Sequence, residues 1–363
     1  MKLDKLIAWL READAASLET LWREADSARD RHVGGQVHLR GLVEISNHCR
    51  RSCAYCGLRH ANAKVRRYRM SPAEILAAAK TAVGLGYGTV VLQAGEDEAL
   101  TAPLVAEVIR QIKSGAHTGN LAVTLSLGER TEDELALWKD AGADRYLLRF
   151  ETSNKTLFKR IHPPLPGRNC RRIDILRVLR DLGYETGSGI MVGIPGQTYE
   201  DLARDLATFV ELDLDMIGLG PYVPHADTPL ANAAPAEKDQ TPNDGLMACK
   251  VVALTRLVCP DTNIPATTAL SALDPISGYE GALTRGANVV MPNLTPTRYR
   301  RFYDIYPMDR GGCGGPVTFN KKIRARIAAI GRTTATGRGD SPHYLNRTGV
   351  LRVGQRPVGG VVA

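Results

Sequence analysis

The stretch Asn47-His48-Cys49-Arg50-Arg51-Ser52-Cys53-Ala54-Tyr55-Cys56-Gly57 places three cysteines on one short polar segment. Thiolates on such a loop are the usual ligands of iron-sulfur clusters, and the common electron-carrying clusters need four of them. No fourth cysteine lies nearby in the sequence. Three thiols would hold three corners of one 4Fe-4S cube and leave the fourth iron open. The stretch therefore predicts a catalytic cluster bound by Cys49, Cys53 and Cys56.

A zinc site is the alternative interpretation of these cysteines, because zinc also binds thiolates at such spacings. A closed zinc site needs a fourth ligand, and the candidate, His48, is directly adjacent to Cys49, which is tighter than the usual ligand spacing. Buried unreactive cysteines fit poorly, since the surrounding segment is polar and rich in arginine. The remaining cysteines have no partner spacing and are predicted to pack as single residues: Cys170, Cys249, Cys259 and Cys313.

Around the cysteine stretch, eight short apolar or β-branched runs alternate with longer segments of helical period. The predicted strands are 41–46, 89–96, 121–128, 145–152, 186–195, 216–224, 266–273 and 287–295. Such alternation is typical of a parallel sheet wrapped by helices, and eight strands predict a closed α/β barrel of the (βα)8 TIM type. We expect the barrel over 36–297, an N-terminal helical region over 1–35 and a C-terminal extension over 298–363 whose last residues, 353–363, are poorly ordered.

Two predicted helices begin with capping boxes, in which a hydroxyl residue is followed three positions later by glutamate. Ser71 with Glu74 forms one box, and Thr131 with Glu134 forms the other. Helix starts at these positions separate the predicted strands as the barrel requires.

Composition limits the classes of protein and partner. No apolar stretch approaches the roughly 20 residues that cross a bilayer, and the first five residues lack the order of a signal peptide. An odd count of seven cysteines suits a reducing compartment, so we expect a cytoplasmic protein without membrane partners. The net charge is +8, but it is not concentrated on one face, and we predict no nucleic-acid partner. Arg66, Arg67 and Arg69 form either a solvated basic loop or a grip on an anionic substrate or partner.

The active site of such a barrel lies at the carboxyl ends of its strands, which directs attention to polar residues there. The first strand leads into the cysteine loop, and further polar residues close the next three strands: Gln93 with Gly95 and Glu96, Thr124 with Ser126, and Arg149 with Glu151. An arginine and a glutamate that point into a barrel are costly unless they pair or bind a charged ligand. A zwitterionic cofactor would satisfy Arg149 and Glu151, although a simple ion pair within the barrel, and polar filling at the other positions, remain open.

The spacing Cys-x3-Cys-x2-Cys, with Tyr55 just before the last cysteine, resembles the signature of the radical S-adenosylmethionine (SAM) enzymes. Longer phrases resemble the HydE family within them, the maturases of iron-iron hydrogenase: 68–72, 91–97, 123–129, 141–149, 220–225, 264–268 and 286–293. The resemblance runs from about residue 36 to 306. It implies a 4Fe-4S cluster whose open iron binds the amino and carboxylate groups of SAM, and reductive cleavage of SAM to a 5'-deoxyadenosyl radical.

The resemblance also implies roles for individual residues. The positions that match SAM-binding residues are Tyr55 beside the adenine, Gly95 and Glu96 in the turn near the methionine amino group, and Ser126, Arg149, Glu151 and Arg172. The positions that match the lining of the lower cavity, where substrate binds, are Gln93, Thr124, Arg145, Thr267, Thr268, Met291, Tyr303 and Tyr306. The implied substrate is a cysteine-bound iron dicarbonyl cyanide, an organometallic precursor of the hydrogenase diiron subcluster. Implied partners are other hydrogenase maturases and a reductant protein.

One departure from the family concerns a second cluster, which some members bind through three cysteines near the C-terminus. Only Cys313 lies in that region here, so we predict no second cluster. Two other functions stay open at this point. One is a radical SAM mutase similar to 3-methylornithine synthase, which shares the cysteine loop and the barrel. The other is a non-catalytic cluster or zinc protein that acts as a scaffold.

Overall fold

The computed structural model describes residues 1–166, 171–233, 239–307 and 315–349. In this part of the chain, eight parallel strands form a barrel: β1 (Gln36–Ser46), β2 (Thr89–Ala94), β3 (Ala122–Ser126), β4 (Arg145–Leu147), β5 (Glu185–Val192), β6 (Met216–Pro221), β7 (Pro265–Ala266) and β8 (Val289–Val290). Their order is β6-β5-β4-β3-β2-β1-β8-β7, and a parallel bridge between Met216 and Asn263 joins the two ends. The predicted (βα)8 TIM barrel is confirmed.

Helices lie before, between and after these strands. They are α1 (Leu3–Arg11), α2 (Ala15–Val33), α3 (Pro72–Gly84), α4 (Ala102–Ser114), α5 (Glu132–Asp140), α6 (Lys155–Ile161), α7 (Arg172–Asp181), α8 (Tyr199–Glu211), α9 (Gly245–Val258), α10 (Thr268–Leu273), α11 (Gly278–Leu283), α12 (Thr297–Arg300), α13 (Pro316–Ala329) and α14 (Pro342–Thr348). Both predicted capping boxes are present, at the starts of α3 and α5. The N-terminal helices α1 and α2 pack on α8 and α9. None of the described helices is long and apolar enough to cross a membrane.

Most predicted strands are found, but their lengths differ from the prediction. β1 begins five residues before the predicted start, and β4 is only three residues long. The predicted strand 266–273 is wrong beyond its first residue, because α10 occupies Thr268–Leu273. A short apolar run fits a buried strand and a buried helix equally well, so the hydrophobic pattern alone could not decide there.

The C-terminal region closes the amino-terminal end of the barrel. A ninth strand, β9 (Thr333–Thr334), pairs with the start of β1 at Gln36 and Val37. The chain then passes beneath β2, where a Cβ at Gly88 would lie 1.7 Å from the carbonyl oxygen of Gly337. Only glycine permits this approach. The predicted poorly ordered residues, 353–363, lie outside the described part of the chain.

Candidate functional site

The loop that follows β1 carries the three cysteines and is held by side chains that hydrogen-bond to backbone groups. The Asn47 side chain donates to the carbonyls of Arg66 and Phe302 and accepts from the amide of Tyr68. Arg67 donates from Nη1 to the carbonyls of Asn47 and Leu58. These bonds fix both ends of the loop, so the cysteines are presented by a rigid support at the carboxyl end of the barrel.

The three thiols of the loop lie close enough to one another to interact electrostatically. Cys53 is buried, Cys49 and Cys56 are half-buried, and none of the three forms a disulfide. Burial raises the pKa of all three thiols, that of Cys56 to about 12. Thiolates at this position therefore need a bound cation, and the irons of a cluster would supply the charge. The donor set fits a cluster with three cysteine ligands.

A zinc ion fits this loop less well. Zinc holds its ligand atoms about 4 Å apart, as Zn–S bonds of about 2.3 Å require. Among the described residues, one group of three or more His, Cys, Asp or Glu residues has ligand atoms that all lie within 4.8 Å of one another. It consists of Glu96, Glu129 and His162. The three cysteines do not meet that spacing. Glu96 and Glu129 are both paired with arginines, so their group with His162 is an ion-pair network.

Gly95, predicted to contact the cofactor, lies directly against the cysteine loop. A Cβ at this position would be 2.3 Å from the carbonyl oxygen of His48 and 2.7 Å from Cβ of Cys49. Its amide donates to the carbonyl of Ser46, and the amide of Arg50 donates to the carbonyl of Glu96. Glycine is therefore required for the end of β2 to pack beside the first cysteine.

The Glu96 carboxylate is buried and surrounded by arginines. Arg51 donates from Nε to Glu96 at 2.6 Å, and Arg50 approaches the same oxygen at 3.4 Å. Arg51 also donates to Glu129 at 2.5 Å. These pairs fasten the cysteine loop to the ends of β2 and β3. No local spacing in the sequence marks Glu129 or Arg51, because the packing of the loops after β1 and β3 brings the two residues together.

Arg149 and Glu151 come together as predicted, at 3.1 Å between Nη2 and Oε2. Glu151 has a φ of 63°, in the left-handed region that glutamate rarely adopts. The buried atoms Arg149 Nε and Glu151 Oε2 have no well-aligned hydrogen-bond partner, while Tyr55 donates from its hydroxyl to Glu151 Oε1 at 3.4 Å. Backbone strain combined with buried unsatisfied groups is typical of a binding site, and a zwitterionic ligand would satisfy both side chains.

The strained backbone at Glu151 is supported from behind by Asp205 on α8. Its Oδ1 accepts from the amide and hydroxyl of Ser153, and its Oδ2 accepts from Gln197. Burial raises the pKa of Asp205 to about 7. No sequence pattern marks this residue, because it occupies an ordinary polar position in a helix and only the packing of α8 brings it to the loop.

His162 is another functional residue that the sequence patterns did not reveal. Its ring is buried at the end of α6, and its Nδ1 lies 2.9 Å from Sγ of Cys53. Burial and then the charge of Arg172 lower the pKa of the ring. The histidine is separated from the cysteines by more than a hundred residues, so no local spacing could reveal the contact.

Arg172, the first residue of α7, links these groups. It donates from Nε to Glu129 at 3.0 Å and from Nη1 to the carbonyl of Arg149 at 2.6 Å. Its Nη2 lies 3.2 Å from Nε2 of His162. The structure thus places Arg172 between the cysteine loop and the Arg149–Glu151 pair, while its role in binding the cofactor stays a prediction.

The predicted substrate-binding residues lie in several parts of the barrel. Gln93 donates to the hydroxyl of Tyr303 at 3.2 Å, and strand register sets Gln93 beside Ser126. The hydroxyls of Thr124 and Thr267 are buried without a hydrogen-bond partner. These orphan hydroxyls are open to a polar ligand. The remaining positions are Thr268 at the start of α10, Met291 just after β8, and Tyr306 after α12.

The Arg145 guanidinium is not available to bind an anionic substrate beside these residues. Its guanidinium is fully buried and donates to Glu185 at 2.5 Å, to Asp340 at 2.7 Å and to Thr89 at 2.9 Å. A fourth bond, at 3.0 Å, goes to the carbonyl of Arg338. Because Thr89 begins β2 and Arg338 belongs to the C-terminal region, the Arg145 side chain is directed to the amino-terminal end of the barrel. The expected role of Arg145 in holding an anionic substrate is corrected to a structural one.

The other cysteines are divided by their surroundings. Cys249 and Cys259 are buried in and at the end of α9 and form no disulfide, as expected of packing residues. Cys170 and Cys313 lie outside the described part of the chain, so the prediction of no second cluster stays a prediction.

Comparisons with known proteins place this site in a family. Residues 43–209 match the Radical SAM superfamily. The chain is 47% identical over 289 residues to the FeFe hydrogenase maturase subunit HydE of Thermotoga maritima, covering 80% of this chain and 79% of that protein. It is 27% identical to the 3-methylornithine synthase of Methanosarcina acetivorans, over 79% of this chain and 78% of that protein.

Solved structures show the same architecture. The crystal structure of methylornithine synthase (PylB) has a TM-score of 0.77 and 24% identity, and the match covers 96% of both chains. The FeFe hydrogenase maturase HydG from Carboxydothermus hydrogenoformans has a TM-score of 0.73 and 19% identity, over 89% of this chain and 75% of that chain. These two likenesses concern the fold, whereas the 47% identity to HydE concerns the family. The chain therefore belongs to the radical SAM superfamily of enzymes and, within it, to the HydE family.

Proposed function

We propose that this enzyme acts in assembly of the diiron subcluster of FeFe hydrogenase, with a 4Fe-4S cluster held by Cys49, Cys53 and Cys56 and SAM at the open iron. When bound, these cofactors supply a 5'-deoxyadenosyl radical by reductive cleavage of SAM. One observation carries the proposal: one buried and two half-buried thiols lie together at the barrel mouth near an Arg149–Glu151 pair that retains unsatisfied hydrogen-bonding atoms. Neither a scaffold nor a zinc protein needs that combination.

The chain's own residues would bind and orient SAM. Glu151, whose Oε2 lacks an aligned donor, would accept from a cationic or hydroxyl group, and Arg149 would donate to a carboxylate. Tyr55 lies beside Glu151 and would offer its ring and backbone to the adenine. The turn at Gly95 and Glu96 would lie near the methionine amino group, and Ser126 and Arg172 would complete the site.

A second part of the proposal concerns the substrate, a cysteine-bound iron dicarbonyl cyanide whose sulfur the radical would attack. The supporting features are hydroxyl and amide groups without charge: Thr124 and Thr267 with unpartnered buried hydroxyls, and Gln93 bonded to Tyr303. Thr268, Met291 and Tyr306 would add to this lining. Neutral donors can hold polar cyanide and carbonyl ligands without the desolvation cost of a buried charge. The barrel wall would keep water from the reacting atoms.

The surroundings of the reaction follow from the same chemistry. A labile cluster with exposed iron requires a reducing compartment, so we place the enzyme in the cytoplasm. A reductant protein would deliver the electron, and other hydrogenase maturases would make the precursor and receive the product. The identity to HydE supports this context.

The test is an anaerobic reconstitution with iron and sulfide, followed by dithionite and SAM, with 5'-deoxyadenosine as the first readout. Cleavage of SAM is expected, and its absence from a fully loaded enzyme would overturn the radical reaction. In a second step the enzyme receives either the cysteine-bound iron dicarbonyl cyanide or lysine. We expect the iron complex to accelerate deoxyadenosine formation and to be converted. Rearrangement of lysine would instead identify a mutase related to 3-methylornithine synthase.

A further inference from the structure

His162 contacts a cluster cysteine but has no part in the proposed binding of SAM or substrate. Its Nδ1 lies 2.9 Å from Sγ of Cys53, and the ring is only 1% exposed. On its other side, Nε2 faces Nη2 of Arg172 at 3.2 Å and Oε1 of Glu129 at 3.3 Å. A buried polar ring with a partner at both nitrogens has a defined orientation.

The neighbours of Nε2 determine where the ring carries its proton. The Arg172 guanidinium has donors and no acceptor, so toward this nitrogen it can only donate. If Nε2 accepts from Arg172, a neutral ring must carry its one proton on Nδ1. If the ring is instead doubly protonated, with Nε2 donating to Glu129, Nδ1 is again protonated. Both arrangements aim an N–H group at Cys53. A third arrangement, a neutral ring with its proton on Nε2 toward Glu129, would turn the lone pair of Nδ1 toward the sulfur. A cluster-bound Cys53 thiolate has no proton to donate and would repel that lone pair, so the arrangements with a proton on Nδ1 are favoured.

We propose that His162 donates a hydrogen bond from Nδ1 to the Cys53 thiolate and thereby raises the reduction potential of the cluster. This inference rests on the proposed ligation of the cluster by Cys53. Reduction adds one negative charge, which is shared with the thiolate ligands, and a donor to a thiolate stabilises the reduced state more than the oxidised state. Arg172 fixes the orientation of the ring from the cofactor side. His162 would thus tune the reduction potential of the cluster without contacting SAM or substrate.

The cysteine loop does not depend on the His162 side chain for its place. The amide of Ala54 donates to the carbonyl of Ile161 at 2.8 Å, so α6 and the loop are joined through backbone groups. Leu157 and Ile161 of α6 pack with Ala54 in the same apolar cluster. Substitution of the ring should therefore leave the loop folded and able to load its cluster.

The experiment compares three substitutions by redox titration of the reconstituted enzyme, monitored by electron paramagnetic resonance without substrate. Asparagine carries an amide near the position of Nδ1, glutamine places its amide near Nε2, and leucine has no polar group. We expect His162→Gln and His162→Leu to lower the midpoint potential by about 59 mV, a tenfold change in the ratio of reduced to oxidised cluster. His162→Asn should stay near the parent value. Unchanged potentials in the glutamine and leucine variants, or an equal shift in all three, would overturn the proposal.

Two further variants separate this result from the proposed function. Lys159→Ala, on the exposed face of α6, should leave the potential unchanged. Cys53→Ser tests the ligation itself by iron content. If that variant still binds a full cluster, the assigned ligand set is wrong. If it does not, and the histidine variants keep the parent potential, only the tuning role fails.

Discussion

Two buried glutamates at opposite ends of the barrel differ in how fully they are hydrogen-bonded. At the amino-terminal floor, Glu185 accepts from Arg145 through one carboxylate oxygen and from the amide of Ser341 through the other. At the carboxyl-terminal mouth, Glu151 has a strained backbone and one oxygen without an aligned donor. Both carboxylates are almost fully buried. A buried carboxylate with both oxygens hydrogen-bonded stabilises the fold, whereas one with an oxygen that lacks an aligned donor is costly until a ligand binds.

The comparison shows why burial and charge alone do not identify a functional arginine. The Arg145 side chain is fully buried, that of Arg172 is 10% exposed, and both are paired with glutamate. The partners of Arg145 include Asp340 of the C-terminal segment that closes the barrel. Those of Arg172 include His162, which contacts Cys53, and the carbonyl of Arg149. In barrels of this type the amino-terminal floor stabilises the fold, and the carboxyl-terminal mouth binds ligands.

The largest effect should come from removing a cluster ligand at the mouth. Cys53→Ser should abolish cluster loading and 5'-deoxyadenosine formation, since the two remaining cysteines would leave two irons of the cluster without a protein ligand. Iron and sulfide analysis, with the visible absorbance of the reconstituted protein, measures the loss. Cys249→Ser is the matched control, because this buried cysteine packs in α9 and should leave loading intact. Equal loss in both variants would mean that general stability, and not ligation, is affected.

Disrupting the ion pairs at the floor should lower the free energy of unfolding and leave SAM cleavage at the mouth unchanged. Arg145→Met removes the nearest cation of the buried Glu185 and Asp340, at a cost of about 3 kcal/mol in the free energy of unfolding. Arg40 at 3.9 Å from Glu185 and Arg338 at 3.5 Å from Asp340 would remain. Urea unfolding of the loaded enzyme measures the cost. Arg204→Ala removes an exposed ion pair with Glu200 on α8 and should cost about 0.5 kcal/mol or less. If Arg145→Met kept its stability but lost substrate turnover, the assignment to the floor would be wrong.

A smaller and more selective effect is expected at Arg172. Arg172→Ala should weaken SAM binding by about 10- to 100-fold, because it removes charge-assisted hydrogen bonds that hold the Arg149 carbonyl and Glu129. Equilibrium binding of SAM to the loaded, unreduced enzyme measures it, and iron content should stay near that of the parent. Arg177→Ala, on the exposed face of the same helix, should bind SAM normally. An unchanged affinity in Arg172→Ala would show that the residue does not organise the cofactor site.

The smallest effect concerns the pH dependence of the floor. His343 lies 2.9 Å from Asp213 and 3.2 Å from Asp261, and the bond to Asp261 raises its pKa to about 8 from an ordinary 6.5. The folded state therefore favours the protonated ring. Its contribution to stability is complete below pH 6.5 and is lost as pH rises through 8. Partial exposure reduces the expected contribution to about 1 kcal/mol.

Urea unfolding at pH 6 and pH 9 measures this dependence in the parent and in His343→Gln. The glutamine variant should lose the part of the pH dependence that lies between these values. If parent and variant showed the same change with pH, the stability of the floor would depend on other groups.

The sequence by itself determined the barrel and most of the mouth. Local patterns were sufficient there: capping boxes, apolar runs and the cysteine spacing depend on residues close together in the chain. They predicted the eight-stranded fold, the cysteine loop and the proximity of Arg149 and Glu151. The seventh strand was misjudged because α10 begins after two strand residues, where a short apolar run carries no clear period.

Only the tertiary structure decided which buried groups meet across long separations. His162 reaches Cys53, Asp205 supports the turn after β4, and Asp340 takes up Arg145, each pair joined by elements that are distant in the chain. A side chain's protonation and role depend on the groups that surround it in space, and those groups are set by how helices and the C-terminal segment pack on the barrel. The sequence names the residues at each strand end, and the packing decides which of them are already satisfied and which still need a ligand.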